Sequence, residues 1–188
     1  MKVTRNESKA DAMSIEIEVL NGDTSWARAE PLLDAVWPEE VVEKLPWGLV
    51  EWAHADLRVL IEAPEGGLAC HVGIYFRTVT WNGRRLHIGG IGGVATHPDC
   101  RRLGYASIAL NAAAQTMRDH DVAQFALLFC EPHNFEFYRS RGWHPFAGEI
   151  YAEQPGGKIR FEVMTPFVFD LKRHAPRQGT LDLCGLPW

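Results

Sequence analysis

The sequence has no apolar run near the roughly 20 residues that a membrane-crossing helix needs. Its first stretch, Met1 to Ser14, has neither the basic head nor the apolar middle of a signal peptide. The expectation is a soluble protein that stays in the cytoplasm. Cysteine is scarce. Cys70, Cys100, Cys130 and Cys184 stand at wide, irregular intervals, which excludes a CxxC metal pair and a dense disulfide scaffold and leaves free thiols. Basic charge is also short. Nineteen Lys and Arg against 24 Asp and Glu give a net charge of -5, the wrong sign for a nucleic-acid binder. That balance suits a cationic small substrate, and equally suits plain solubility. No repeat, low-complexity tract or Ser/Gly linker divides the 188 residues. A chain of that length fits one core, so residues 1–14 are read as a flexible tail and 15–188 as a single domain. Also missing are a Walker loop, a Gly-x-Ser-x-Gly elbow and a His-Glu-x-x-His pair, and the eight histidines show no metal spacing beyond a weak Cys130-x-x-His133. No metal is expected.

What is present is a change of period along the chain. Ala29, Leu32, Leu33 and Val36 are spaced as one face of a helix from Trp26 to Trp37, which Pro38 stops. Leu57–Ala63, Leu68–Thr80 and Leu86–Thr96 read as strands, joined by the turn chemistry of Pro64-Glu65-Gly66-Gly67 and the hairpin signal Asn82-Gly83. These three are expected to be antiparallel. Ala106, Ala109, Leu110, Ala113, Ala114 and Met117 then mark a long helix over Leu103–His120. The unbroken apolar run Gln124–Cys130 is a strand buried on both faces, parallel to the strand before the helix. A short helix near Asn134–Ser140 ends at Gly142, and strands near Phe146–Ala152 and Ile159–Phe169 flank Gln154-Pro155-Gly156-Gly157. The sum is a mixed α/β sheet.

Two segments carry chemistry. Gly89, Gly90, Gly92 and Gly93 crowd one strand, where glycine loses the most freedom on ordering and packs no side chain. Either the strand bulges or splays where a ligand meets its amides, or it tolerates a crowded neighbour. Arg101 and Arg102 then precede Leu103-Gly104-Tyr105-Ala106 at the start of the long helix. Cations there oppose the helix dipole, whereas unpaired N–H groups beside two arginines suit a phosphate. Gly90-Ile91-Gly92-Gly93-Val94-Ala95 also matches the dinucleotide fingerprint. Its glycines lie inside a strand, however, and Pro98 with its loop intervenes before the helix.

Gly93-Val94-Ala95-Thr96-His97-Pro98 followed by Arg101-x-x-Gly104-x-Ala106 resembles motif A of the GNAT superfamily of N-acetyltransferases. Phe137-Tyr138-Arg139-Ser140-Arg141-Gly142-Trp143 is similar to that family's second motif, and together the two cover about residues 57–170. The resemblance implies a GNAT fold: a mixed, mostly antiparallel sheet flanked by helices, with a splayed parallel strand pair at the acyl-CoA site. It implies acetyl-CoA as cosubstrate. Amides around Arg101, Arg102, Leu103, Gly104, Tyr105, Ala106 and Ser107 would hold the pyrophosphate, and Val94 and Thr96 would pair with the pantetheine arm. Tyr138 would protonate the departing thiolate. Many members place a carboxylate on the strand before motif A as base, where this chain offers Gly92. Glu131 is the best substitute, with His87 and His133 behind it, and a water chain is an equal alternative.

A narrower resemblance links Tyr138–Gly148 and Leu181–Trp188 to the aminoglycoside 2'-N-acetyltransferases, which also finish on tryptophan. It implies that Trp188 and its carboxylate meet an amine; a tryptophan covering the sheet is the alternative. Trp47, Glu51 and Trp52 lie where such folds form an acceptor wall, to stack on and pair with a cationic substrate or to serve as core. The expected activity is acetyl transfer to a primary amine of a small cationic molecule, aminoglycoside-like; an inactive domain that senses acyl-CoA is the other reading. The expected partners are that amine and a second copy of the chain, with no nucleic acid and no membrane.

Overall fold

In the computed structural model, which describes residues 15–188, β1 (Ile17–Asn21) leads into α1 (Trp26–Val36) and α2 (Glu39–Val42). The expected tail, residues 1–14, lies outside the described residues. The helical period of α1 lays Ala29 and Leu32 on Leu60, Leu68 and Ala95 of the sheet. Next come β2 (Leu57–Glu62), β3 (Leu68–Trp81) and β4 (Arg84–Thr96), with β3 antiparallel to both its neighbours as the turns demanded. Asn82 and Gly83 have φ of 47° and 77°, the paired positive values of a two-residue hairpin turn.

α3 (Tyr105–Asp119) buries Ala109, Leu110, Ala113, Ala114 and Met117 against the opposite face from α1 and crosses to β5 (Phe125–Cys130), parallel to β4. Every residue of β5 is buried. α4 (Phe135–Arg139) ends near Gly142 at φ 82°, where the Trp143 N–H turns back to the Tyr138 carbonyl. The chain closes with β6 (His144–Pro145), β7 (Ala147–Gln154), β8 (Gly157–Arg160), β9 (Thr165–Asp170) and β10 (Gln178–Asp182). The sheet runs β6-β9-β5-β4-β3-β10-β7-β8, with β2 on β3 and β1 outside β2.

Two features differ from the sequence pattern. The strand expected over Ile159–Phe169 is two strands, because Phe161 turns inward against Phe129 and Trp52 and its N–H bonds back to the Ile150 carbonyl. β8 therefore stays on β7, while β9 leaves to pair with β5. β1 and β10 carry no sequence signal of their own, being five-residue strands whose partners lie far along the chain.

The feature that positions the site is a parting of strands. β4 pairs with β5 only from Gly89 to Ile91, opposite Ala126 to Leu128. Past that point the edge of β4 facing β5 has no ladder. On its other edge the register slips, so that Gly93 and Val94 together oppose Val72, and Gly93 takes φ 56°. A bulge here bends β4 away from β5.

Candidate functional site

The glycines of β4 serve several ends. A β-carbon on Gly89 would overlap the Met117 thioether of α3. One on Gly90 would overlap the Trp188 indole, and one on Gly92 would stand 2.9 Å from the Trp188 carboxylate carbon. Alternate faces of the strand thus admit α3 on one side and Trp188 on the other. Only Gly93 is required by backbone conformation.

The loop after β4 prepares an anion site. Arg102 takes φ 66° and Gly104 φ 87°, and such left-handed residues in a loop turn successive N–H groups toward one concavity. An added β-carbon on Gly104 meets nothing, so this glycine is demanded by its φ and not by crowding. No side chain caps α3, whose first internal bond runs from the Ile108 N–H to the Gly104 carbonyl. The preceding amides of its first turn are open donors at a positive dipole end.

Both features open on one cavity of about 910 Å³. Val94, Thr96, Arg101, Arg102 and Ala106 line it, together with Cys130, Glu131 and Tyr138 and with Trp26, Trp37, Trp47, Trp52, Tyr75 and Trp188. Tyr138 is buried among Phe137, Trp143 and Phe167, and that burial lifts its phenol well above the ordinary range. It stays protonated. Cys130 is pushed up to about 12 by burial, so its thiol is neutral and no ready nucleophile. Trp188 stacks on Tyr75 at 5.7 Å, donates its indole N–H to the Leu127 carbonyl at 3.2 Å and receives the Arg77 guanidinium on its face. Trp37, Trp47, Trp52 and Phe161 continue the wall edge to face. Within it Trp47 Nε1 is the one buried side-chain polar atom without a partner among the described residues.

A family model for the acetyltransferase (GNAT) domain matches residues 22–146, two thirds of the chain and all of the parted-strand site up to Tyr138. The chain belongs to the GNAT acetyltransferases. An aminoglycoside 2'-N-acetyltransferase of Mycolicibacterium fortuitum is 29% identical over 112 residues, which are 58% of this chain and 56% of that enzyme. The match thus spans little more than half the length of that relative. Among solved structures, a putative N-acetyltransferase of Lactobacillus plantarum superposes with a TM-score of 0.60 at 16% identity, covering 84% of this chain and 99% of that one. The Escherichia coli GNAT protein YhbS, solved in complex with CoA, superposes with a TM-score of 0.56 at 15% identity, covering 90% and 89%. These structural likenesses carry the fold.

Of the candidate site residues named from this GNAT sequence, eleven line the cavity: Val94, Thr96, Arg101, Arg102, Ala106, Glu131, His133, Tyr138, Trp47, Trp52 and Trp188. Leu103 is exposed, Tyr105 packs into the core, and the Ser107 hydroxyl accepts from Arg141 at 2.8 and 2.6 Å, so these three offer the loop their backbone. Glu51 does not line the cavity. It is exposed, and its backbone is tied in both directions to the Gln154 amide. Nor does His87, which lies at the hairpin end of β4, bonded to Thr78 at 2.9 Å.

Sequence reasoning missed a buried polar group beneath the aromatic wall. His71 Nδ1 meets the Gly93 carbonyl at 2.7 Å and its Nε2 meets Arg58 Nη1 at 2.9 Å, while Arg58 Nε donates to the Gly22 carbonyl at 3.1 Å. His71 pins the bulge. Its only signal in the sequence was a histidine inside an otherwise apolar strand. Burial, with Arg58 alongside, pushes the His71 imidazole down to about 4, so it is neutral: Nδ1–H donates to Gly93 and Nε2 accepts from Arg58. Because the folded value lies below the unfolded one, this group's stability is complete above pH 6.5 and is lost as pH falls toward 4. Chemical denaturation should show the wild type losing about 2 kcal/mol more than His71→Gln between pH 7 and pH 5.

Proposed function

We propose that this GNAT acetyltransferase moves the acetyl group of acetyl-CoA directly onto a primary amine of a small molecule. The observation that carries this reading is the convergence on one cavity of an unpaired β4 edge, an uncapped helix start with two arginines, and the buried phenol of Tyr138. Amides from Arg102 to Ser107 suit a pyrophosphate, and the free edge at Val94 and Thr96 suits an amide-bearing arm such as pantetheine. The amine nitrogen attacks the thioester carbon, a C–N bond forms and the C–S bond breaks. The amine's proton leaves to Glu131, directly or through water, and Tyr138 gives its proton to the departing thiolate. With Cys130 held neutral, no acyl-enzyme is needed.

The likeness to an aminoglycoside 2'-N-acetyltransferase makes an aminoglycoside one acceptor to try. Calorimetric titration with acetyl-CoA is expected to show binding that weakens about 100-fold in an Arg101→Ala, Arg102→Ala double variant, on the scale of two charge-assisted hydrogen bonds. Unchanged affinity would remove the anion role of the loop. Release of free CoA thiol across a panel of aminoglycosides, polyamines and amino acids then tests transfer. Tight acetyl-CoA binding with no acceptor turned over would instead mark an acyl-CoA sensor.

A further inference from the structure

Arg58 is a buried cation whose charge the protein does not balance. It is 5% exposed, and among the described residues it makes no ion pair. Its hydrogen-bond partners are a carbonyl, Gly22, and a neutral imidazole, His71. Asp23, the one carboxylate whose charge acts on it from outside the cavity, is exposed and does not pair with it. Buried charges are ordinarily paired or bound to a ligand of opposite sign.

The structural ties of Arg58 use Nε and Nη1 alone. Nη2 has no partner among the described residues and is not sealed inside protein, and the residue lines the cavity. The Trp26 ring lies 4.9 Å from the guanidinium carbon, and Trp37, Trp47, Trp52, Tyr75 and Trp188 line the same cavity. Among the described residues the only acidic side chain lining the cavity is that of Glu131, which directly follows β5. A polycation entering the cavity would find rings, a guanidinium and, besides Glu131, a single carboxylate, that of Trp188 beside Gly92. A zwitterion with an apolar body would find both a cation and a wall.

We infer that the acceptor carries a carboxylate as well as its amine, and that Arg58 binds that carboxylate while the tryptophan wall takes an aromatic or branched apolar body, as in a free hydrophobic amino acid. This deepens the proposed acetyl transfer and rests on it for the fate of the amine. It also sets the substrate apart from aminoglycosides, which bear several cations and no carboxylate.

The test compares each amino acid with its own decarboxylated amine: phenylalanine with phenethylamine, tryptophan with tryptamine, leucine with isoamylamine, and kanamycin as a polycation. The wild type should favour the carboxylated member by at least about tenfold in kcat/KM, the scale of one charge-assisted hydrogen bond. Arg58→Gln should erase that preference through KM with little change in kcat, and Arg58→Lys should restore part of it. Equal or better use of the decarboxylated amines, or preference for kanamycin, overturns the inference and leaves acetyl transfer standing. If no amine is acetylated, transfer itself fails, and calorimetry of phenylalanine and tryptophan on the CoA-loaded protein decides the Arg58 site. Binding abolished in Arg58→Gln supports it, and absence of binding in the wild type rejects it. The wild-type comparison holds even if Arg58→Gln does not fold.

Discussion

Tyr138→Phe is expected to lower kcat by about 10²- to 10⁴-fold, the span that a positioned general acid contributes, with acetyl-CoA affinity and thermal stability nearly unchanged. The separation is expected because of how the ring is held. Tyr138 packs against Phe137, Trp143 and Phe167 in the core, and phenylalanine keeps all of that contact. What the substitution removes is one O–H from a buried ring that lines the cavity together with Cys130 and Glu131. Burial raises the phenol, so it is protonated at every working pH. A thiolate leaving into the same poorly solvated space becomes more basic for the same reason, which keeps the two groups matched for proton transfer. Steady-state release of CoA thiol measures the effect. Unchanged turnover would transfer the acid role to water and leave Tyr138 as packing.

The second large effect concerns Trp188. Trp188→Ala is expected to destabilise the protein by about 3–5 kcal/mol, the usual cost of emptying a buried tryptophan site. The loss combines the Tyr75 stack, the Phe129 contact, the hydrogen bond to Leu127 and the Arg77 cation on its face. Gly90→Val should reach a comparable loss from the other side, since its side chain would occupy the space of the indole. The two should not add. With the indole gone, valine at position 90 fills part of the vacated space, so the double variant should be more stable than the summed single effects by at least about 1 kcal/mol. Denaturant unfolding of the four proteins checks this. Strict additivity would show that Gly90 is not glycine because of Trp188.

Much of the architecture could be read from local chemistry. Asn82-Gly83 set a hairpin because both residues accept positive φ, and the three- and four-residue spacing from Ala106 to Met117 set α3. The apolar run at Phe125–Cys130 announced a strand covered on both faces. Arg101 and Arg102 pointed to an anion site because cations at a helix start oppose its dipole, and that conflict is visible without coordinates. What the sequence by itself determined was therefore the fold class, the arginine loop at the start of α3 and the motif containing Tyr138, all of them encoded within short stretches of chain.

Tertiary structure alone decided the rest. Which glycine of β4 answers to which neighbour depends on Met117 and Trp188, distant in sequence and on opposite faces of the strand. Glu51, chosen for its place among tryptophans, points out of the site because Gln154 of β7 holds its backbone. Arg58 and His71 looked like ordinary strand residues. Only the pairing of β2 with β3 and the slip of β3 against β4 bring them together beneath the bulge, and only burial reveals that one is neutral and the other a charge without a counterion. Proximity across a sheet and withdrawal from water are properties of the packed chain, and no spacing along the sequence encodes them.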